Sequence, residues 1–395
     1  MMIQRDTQDA CRRPVLFLLL TVTAIICSSY NVLWVHAGMK GDDEVTYDNW
    51  LQHMEKTSSP ADEQPSAFNP DDDSVGRGRN DIEIDDGGSA AATASTGSIV
   101  VSQDGDGNFK TVQAAVDSIP KGNTERIIIL IKPGIYKEKV RVDASWVTFQ
   151  GMGSGLTVIQ WGDMASTIGP DGKELGTFNS ASVAVNGDHF TARDISFKNT
   201  APAPPGGAVG RQAVALRISG DMAAFFNVAF YGAQDTLYDH KGRHYFSKCY
   251  IEGSIDFIFG NGRSFYSRCR LHSIANPTGS ITAQKRQTTD ENTGFSFVKC
   301  VVTGSGSIFL GRAWGPASRV VYSATYFDDI IIPQGWFDWG DASRQKTVFY
   351  GEYKCYGPGA NRDGRVSWSR LLTPKEAKPF INTGFINGEQ WLTST

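Results

Sequence analysis

A pattern that recurs at short intervals in the middle of the chain is the feature that most restricts its fold. Each copy starts with an aromatic residue. In the copies that keep the same spacing, a small or sulfur-containing residue follows three positions later, and an apolar residue comes after it. The copies begin at Phe226, Phe246, Tyr266 and Phe297, at intervals of 20, 20 and 31 residues. A repeat of about 20 residues built from short strands and turns is typical of a solenoid whose coils pair through parallel strands. The sequence therefore predicts an all-β chain folded as a parallel β-helix, with a β-sandwich as the alternative.

Composition agrees with a fold made of many short strands. The chain of 395 residues contains 42 glycines, and its short apolar runs are bounded by Gly, Asn, Asp or Pro. Long amphipathic helical patterns are scarce. This pattern disfavours a helical bundle.

The first 96 residues differ from the rest. Residues 15–27 form an apolar run, preceded by two arginines, that has the length of a signal-peptide core. We therefore assign residues 1–37 to a signal peptide, with a signal anchor as the alternative. Residues 38–96 are acidic and nearly free of apolar periodicity, so we expect a disordered leader. Residues 97–395 are expected to form a single folded domain.

Charge is divided along the chain in the same way. The net charge of −4 combines +1 in residues 1–37, −10 in residues 38–90 and +5 in residues 91–395. A mildly basic body suits an anionic polymer, although ordinary solvated surfaces reach the same value. No nucleic-acid partner is expected.

Four cysteines follow the targeting region, at 249, 269, 300 and 355. In an oxidising compartment they allow three pairings, which the sequence leaves open. No pair has metal-ligand spacing and no Cys-x-x-Cys occurs, so we expect neither a zinc site nor a cofactor.

Polar residues at the interval of the repeat point to a site. Gln212 and Gln234 are 22 residues apart, and Asp235 and Asp256 are 21 apart. On adjacent coils about 4.8 Å apart, two such carboxylates should not both ionise freely, so one keeps its proton. The charged one, among apolar neighbours at Asp256, needs a cation such as Arg312, and the glutamine amides suit a developing oxyanion. The alternative is a ladder of polar residues that only satisfies turns.

Five motifs around these residues resemble the pectin methylesterase family, specifically its plant members. They occur in the family's order: GIYKE at 134–138, QAVAL at 212–216, QDTL at 234–237, DFIFG at 256–260 and LGRAW at 310–314. The resemblance covers roughly residues 97–390 and implies a right-handed parallel β-helix. It is to the subgroup without an inhibitor-like pro-domain.

The resemblance also assigns roles, position by position. Asp256 resembles the nucleophile that attacks the C6 methyl ester of a galacturonate, and Arg312 the residue that orients it. Gln212 and Gln234 resemble the oxyanion donors, and Asp235 the acid that protonates methanol and then activates water. No metal or organic cofactor is implied.

By the same similarity, five aromatic residues are expected to bind the sugar chain: Trp314, Trp336, Phe178, Tyr238 and Phe259. Core packing is the alternative for each ring. The resemblance further suggests a disulfide between Cys269 and Cys300.

Implied partners are methylated homogalacturonan and a proteinaceous pectinesterase inhibitor, and we expect a monomer secreted to the plant cell wall. Ala313 replaces the proline usual in the last motif, and an insert at 201–207 lengthens a loop near the cleft. A β-helical pectin depolymerase and a catalytically silent wall-binding solenoid are the rival hypotheses. A serine esterase is disfavoured because no Gly-x-Ser-x-Gly occurs. His240 and His244 are expected to face solvent.

Overall fold

A computed structural model describes residues 98–204 and 208–394. The predicted signal peptide and leader lie outside the described residues, as does the 205–207 portion of the insert.

The described residues form 25 short strands. In chain order they are β1 Ile99–Val101, β2 Ile127–Ile131, β3 Gly134–Lys137, β4 Val140–Val142, β5 Val147–Gln150, β6 Thr157–Trp161, β7 Val183–Val185, β8 Thr191–Arg193, β9 Ser196–Asn199, β10 Leu216–Ile218, β11 Ala223–Phe226, β12 Ala229–Tyr231, β13 Leu237–Asp239, β14 Arg243–Ser247, β15 Tyr250–Gly253, β16 Ile258–Gly260, β17 Arg263–Ser267, β18 Arg270–Gln284, β19 Gly294–Val298, β20 Val301–Arg312, β21 Arg319–Ser323, β22 Tyr326–Phe327, β23 Trp336–Phe337, β24 Phe349–Tyr353 and β25 Arg370–Leu371.

Helices are few and short. The α-helices are α1 Val112–Asp117, α2 Gly176–Asn179 and α3 Pro374–Ala377. Single 3-10 turns span Ala342–Lys346, Pro358–Ala360, Lys378–Phe380, Thr383–Ile386, Gly388–Gln390 and Leu392–Ser394. No described helix has the length and apolar character needed to cross a membrane.

The strands stack as the coils of a parallel β-helix, which confirms the predicted fold class. One face has the order β1-β2-β5-β8-β11-β14-β17-β19-β21-β24-β25, so most coils contribute one strand to it. The other two faces, β3-β6-β9-β12-β15-β18 and β4-β7-β10-β13-β16-β18, meet in the long strand β18. Every strand pairing is parallel, as expected when each coil adds to the previous one.

Stacked rings fill the interior and explain the sequence repeat. Phe225, Phe246, Tyr266, Phe297 and Tyr322 lie one above the other with ring centroids 4.4–4.7 Å apart. The first copy of the repeat therefore begins at Phe225, one residue earlier than the pattern indicated. The next residue, Phe226, faces outward, because successive side chains of a strand point to opposite faces.

The first coil and one face of the described solenoid are covered. The buried side chains of α1 are Val112, Ala115 and Val116, and they join the main core. The C-terminal turns pack across the outside of the first face, where Phe380, Phe385 and Trp391 form a second cluster with residues of β11, β17, β19, β21 and β24. A helix at the end of a solenoid covers core residues that no further coil would bury.

Candidate active site

Two turns at the same position on adjacent coils bring the two aspartates together. Asp235 lies between β12 and β13, and Asp256 between β15 and β16. Gln234 pairs with Ile255 in a parallel bridge, and the backbone N–H of Asp235 donates to the carbonyl oxygen of Ile255 at 3.0 Å. Both aspartates have a positive φ, 64° and 48°, and are only 8% and 6% exposed. The structure therefore places two buried carboxyl groups one coil apart.

Asp256 accepts hydrogen bonds from two side chains, Arg312 and Ser280. Arg312 donates from Nε to Oδ1 at 2.8 Å and from Nη2 to Oδ2, a two-pronged contact that fixes the plane of the acid. The hydroxyl of Ser280 donates to Oδ1 at 2.5 Å and accepts the backbone N–H of Asp256 at 3.0 Å. Ser280 was missed by the sequence reasoning, which followed only residues at the repeat interval.

Asp235 has a different environment. Burial raises its pKa well above the ordinary value, the charge on Asp256 raises it further, and Arg312 opposes the shift. Within the described part of the chain, no side chain donates a hydrogen bond to its carboxyl group. The two carboxyl groups therefore have different surroundings: Asp256 accepts hydrogen bonds from Arg312 and Ser280, whereas burial and the charge on Asp256 raise the pKa of Asp235.

The two glutamines lie beside the carboxyl pair. The backbone N–H of Ala213 donates to the carbonyl oxygen of Gln234 at 3.0 Å, which places Gln212 next to Gln234 on the neighbouring coil. Both side chains are half-buried. Neither amide group is hydrogen-bonded to another described residue. Two amide donors therefore remain available, one at the turn that carries Asp235 and one on the neighbouring coil.

Four of the five predicted aromatic residues lie close together, and two of them are on the strands that follow these turns. Tyr238 and Phe259 stack with centroids 4.2 Å apart, and Phe178 meets Tyr238 edge-on at 6.2 Å. Trp314 lies 6.1 Å from Phe259. Phe178 is 43% exposed and Trp314 is half-buried, so these two offer the most ring surface to a ligand.

Trp336 does not join this group, and the prediction that it binds substrate needs correction. Its side chain is 1% exposed, its ring stacks on Tyr350 at 4.3 Å, and Nε1 lies 3.4 Å from the carboxylate of Glu352. The ring is part of the core. The nearby Trp339 instead covers the guanidinium of Arg312 at 4.5 Å, and the same sequence segment could have identified it.

The cysteines are also placed differently from the prediction. Cys249, Cys269 and Cys300 occupy equivalent interior positions on successive coils, and all are free thiols, so the predicted disulfide between the last two is not formed. In-register neighbours on parallel strands keep their Cβ atoms about 4.8 Å apart, whereas a disulfide needs about 3.8 Å. Each thiol instead lies 3.4–3.5 Å from a backbone carbonyl of the previous coil.

The two histidines do not face open solvent. His244 is fully buried, with Nδ1 2.5 Å from the Asp239 carboxylate, whose other oxygen accepts the hydroxyl of Tyr266 at 2.6 Å. His240 is half-buried, with its ring 5.0 Å from that of Tyr238. Burial, reinforced by the charges of three nearby basic residues, lowers the pKa of His240 to about 4.

Within residues 98–204 and 208–394, no group of three His, Cys, Asp or Glu side chains is arranged to hold a metal ion.

Comparisons with known proteins identify the family of the chain. The sequence model of the family described as Pectinesterase matches residues 98–389. Pectinesterase QRT1 of Arabidopsis thaliana is 53% identical over 298 residues, covering 74% of this chain and 78% of that protein. The structure of pectin methylesterase from carrot is 36% identical with a TM-score of 0.70, covering 76% of this chain and 97% of the carrot chain.

A third similarity is to a pectin methylesterase solved in complex with a hexasaccharide. That chain is 27% identical with a TM-score of 0.64, and the match covers 74% of this chain and 98% of the other. A family match across more than half of the chain, together with these identities, establishes the relationship. The chain belongs to the pectinesterase family of carboxylic ester hydrolases, which remove methyl esters from cell-wall pectin.

Proposed function

We propose that the chain hydrolyses the methyl esters of homogalacturonan with Asp256 as nucleophile and Asp235 as acid and base. A carboxylate oxygen of Asp256 attacks the C6 carbonyl carbon, and the carbonyl electron pair moves onto oxygen. Gln212 and Gln234 donate hydrogen bonds to that oxyanion, because their amides have no competing partner among described residues. Collapse breaks the bond to methoxide, which takes the proton of Asp235 and leaves as methanol.

The second half of the cycle reverses these roles. Asp235, now a carboxylate, removes a proton from water, and the resulting hydroxide attacks the acyl carbon bound to Asp256. The acyl bond to the enzyme breaks, the sugar leaves as a free galacturonic acid that releases its proton to solvent, and Asp256 regains its charge beside Arg312. Asp235 again holds the proton, so the site returns to its starting state.

One observation carries the proposal: two adjacent buried carboxyl groups have opposite hydrogen-bonding environments. Asp256 receives three side-chain hydrogen bonds from Arg312 and Ser280, whereas Asp235 receives none from described side chains. A nucleophile needs an environment with hydrogen-bond donors, such as that of Asp256. A proton donor at mild pH needs one without them, such as that of Asp235.

The test is methanol release from highly methylated homogalacturonan by the purified protein in the presence of a chelator. Asp256→Ala should abolish release while circular dichroism stays unchanged, and Asp363→Ala, which removes an exposed carboxylate elsewhere, should have no effect. Shortening of the polymer without methanol would instead indicate a depolymerase. Retained activity in Asp256→Ala would show that the nucleophile is misassigned.

We also propose that residues 1–37 direct secretion to the cell wall and that residues 38–96 form a leader before the domain that starts at 97. The apolar run at 15–27 supports the first point. A monomer is expected, together with binding of a proteinaceous pectinesterase inhibitor at the cleft. Light scattering of the secreted protein, alone and with inhibitor, tests both expectations.

A further inference from the structure

Ser280 takes the third place in a column of the solenoid that begins with the two aspartates. Asp235 and Asp256 lie one coil apart, and Thr282 on the following coil pairs with Ile258. Ser280 precedes Thr282 by two residues, just as Asp256 precedes Ile258. Ser280 therefore faces Asp256 from the coil on the side away from Asp235. It is only 1% exposed, so its hydroxyl group lies out of solvent.

The hydroxyl group of Ser280 makes two hydrogen bonds, and both are with Asp256. It donates to Oδ1 at 2.5 Å and accepts the backbone N–H of Asp256 at 3.0 Å. These two bonds close a ring that runs from the backbone nitrogen of Asp256 through the serine oxygen to the carboxyl group. Rotation of the aspartate side chain about its Cα–Cβ bond would break the ring, so Ser280 fixes which carboxyl oxygen points towards it.

The two carboxyl oxygens of Asp256 are not equivalent. Oδ1 accepts from Ser280 and from Nε of Arg312 at 2.8 Å. Among the described residues, Oδ2 accepts only from Nη2 of Arg312. Each oxygen of a carboxylate has two lone pairs that can accept hydrogen bonds. Both lone pairs of Oδ1 are therefore engaged, whereas one lone pair of Oδ2 remains for a bond to substrate.

We propose that Oδ2 of Asp256 is the attacking atom and that Ser280 is a positioning residue that keeps Oδ1 engaged through the whole cycle. The inference rests on the proposed function. In acylation the remaining lone pair of Oδ2 forms the bond to C6, the C6 carbonyl electron pair moves onto oxygen, and methoxide leaves with the proton of Asp235. Oδ1 becomes the carbonyl oxygen of the Asp256 side of the acyl-enzyme and still accepts from Ser280.

The hydrogen bond from Ser280 acts in opposite directions in the two half-reactions. In deacylation the bond from C6 to Oδ2 breaks, and its electron pair returns to Asp256. The returning charge is shared with Oδ1, where the serine hydroxyl is already placed to stabilise it. In acylation the same bond draws electron density away from the attacking carboxylate. Loss of the hydroxyl should therefore slow deacylation but not acylation, because the two-pronged contact with Arg312 still holds the carboxyl plane.

The experiment follows the two products of the first turnover separately in wild type and Ser280→Ala, with highly methylated homogalacturonan as substrate. Methanol marks acylation and is measured by rapid quench. The proton that galacturonic acid releases marks deacylation and is measured with a pH indicator by stopped flow. In Ser280→Ala methanol should appear within about twofold of the wild-type rate, whereas the proton should follow it about tenfold more slowly, the effect of one hydrogen bond to a charged group.

Three variants control for effects on the fold. Ser280→Thr keeps the hydroxyl group and should restore the wild-type interval between methanol and proton. Ser280→Cys keeps a side chain of similar size with a weak donor and should give an intermediate interval, also where the alanine variant is too unstable to assay. Ser273→Ala removes another buried hydroxyl from strand β18, one that donates to the carbonyl oxygen of Ser305 at 2.8 Å, and should change neither rate.

The outcomes separate this inference from the proposed function. If the wild-type protein releases no methanol, the proposed function is rejected and the inference with it. Methanol release with the wild-type interval before the proton in Ser280→Ala and Ser280→Cys would overturn the inference and leave the esterase mechanism intact. Equal slowing of both products in these variants would also overturn it, because it would show that Ser280 supports only the local fold.

Discussion

The substitution Asp235→Asn tests the electrostatics of the carboxyl pair separately from its chemistry. Burial, and then the charge on Asp256, raise the pKa of Asp235 above its ordinary 3.8. A carboxyl group whose pKa is higher in the folded state contributes stability that is fully present below its unfolded-state pKa. That contribution is lost as the pH rises through the folded-state pKa. Asn resembles the protonated acid in size and charge but cannot ionise, so the variant avoids this loss.

The magnitude follows from proton linkage. Between the two pKa values the folded wild type holds about one proton more than the unfolded chain. Its free energy of unfolding therefore falls by about 1.4 kcal/mol per pH unit relative to the variant. Below about pH 3.9 the two stability curves should run parallel, and above the folded-state pKa they should run parallel again with the variant relatively more stable. If the new amide changes the free energy of unfolding by an amount that does not depend on pH, the slope of that free energy against pH is unaffected.

Urea unfolding of both proteins between about pH 3.5 and pH 8 measures this difference. Asp363→Asn, which changes an exposed carboxyl group, is the matched control and should follow the wild type. Asp235→Asn should also be inactive at every pH, because it has no proton to give and take. Parallel curves for wild type and Asp235→Asn over the whole range would refute the reasoning, as would a variant that becomes less stable relative to wild type as the pH rises.

Three further outcomes are expected. Gln234→Ala should lower kcat by about 100-fold with a smaller change in KM, since an oxyanion donor acts mainly in the transition state; a change in KM alone would contradict this. Trp336→Ala should lower the free energy of unfolding by about 4 kcal/mol, whereas Trp314→Ala should mainly raise KM; urea titration and steady-state kinetics distinguish core from cleft. Burial raises the pKa of the Cys269 thiol well above its ordinary value. An alkylating reagent used without reductant should therefore modify Cys269 only after the protein is unfolded in denaturant. If Cys269 resists alkylation in the unfolded, unreduced protein, it is in a disulfide.

The fold was predictable because residues of the same kind recur in the sequence at an interval equal to the length of one coil of the β-helix. The same interval predicted the neighbouring positions of Asp235 and Asp256, which depend only on backbone pairing. The residue at which the first copy of the repeat begins was harder to predict, because Phe225 and Phe226 are both aromatic. Only the alternation of side chains along the strand decides which ring faces the interior.

Side-chain environment was harder to predict than position. The sequence around Trp336 contains two tryptophans, and their burial depends on the direction of one short strand and on Tyr350, a residue of another coil. His244 is in a segment rich in charge, yet its partner Asp239 lies on the preceding strand of the same coil. The ring contact joins two coils and the histidine contact crosses one turn, so the periodicity of the repeat reveals neither.

The parallel bridge between Gln234 and Ile255 sets the separation of the carboxyl groups of Asp235 and Asp256 through a backbone hydrogen bond. Loops elsewhere in a coil can lengthen without moving this bridge, as the 31-residue interval between two core aromatics illustrates. Insertions of that kind should reshape the walls of the cleft while the reacting groups keep their distance. Substrate range and chemistry can therefore change independently in a protein of this architecture.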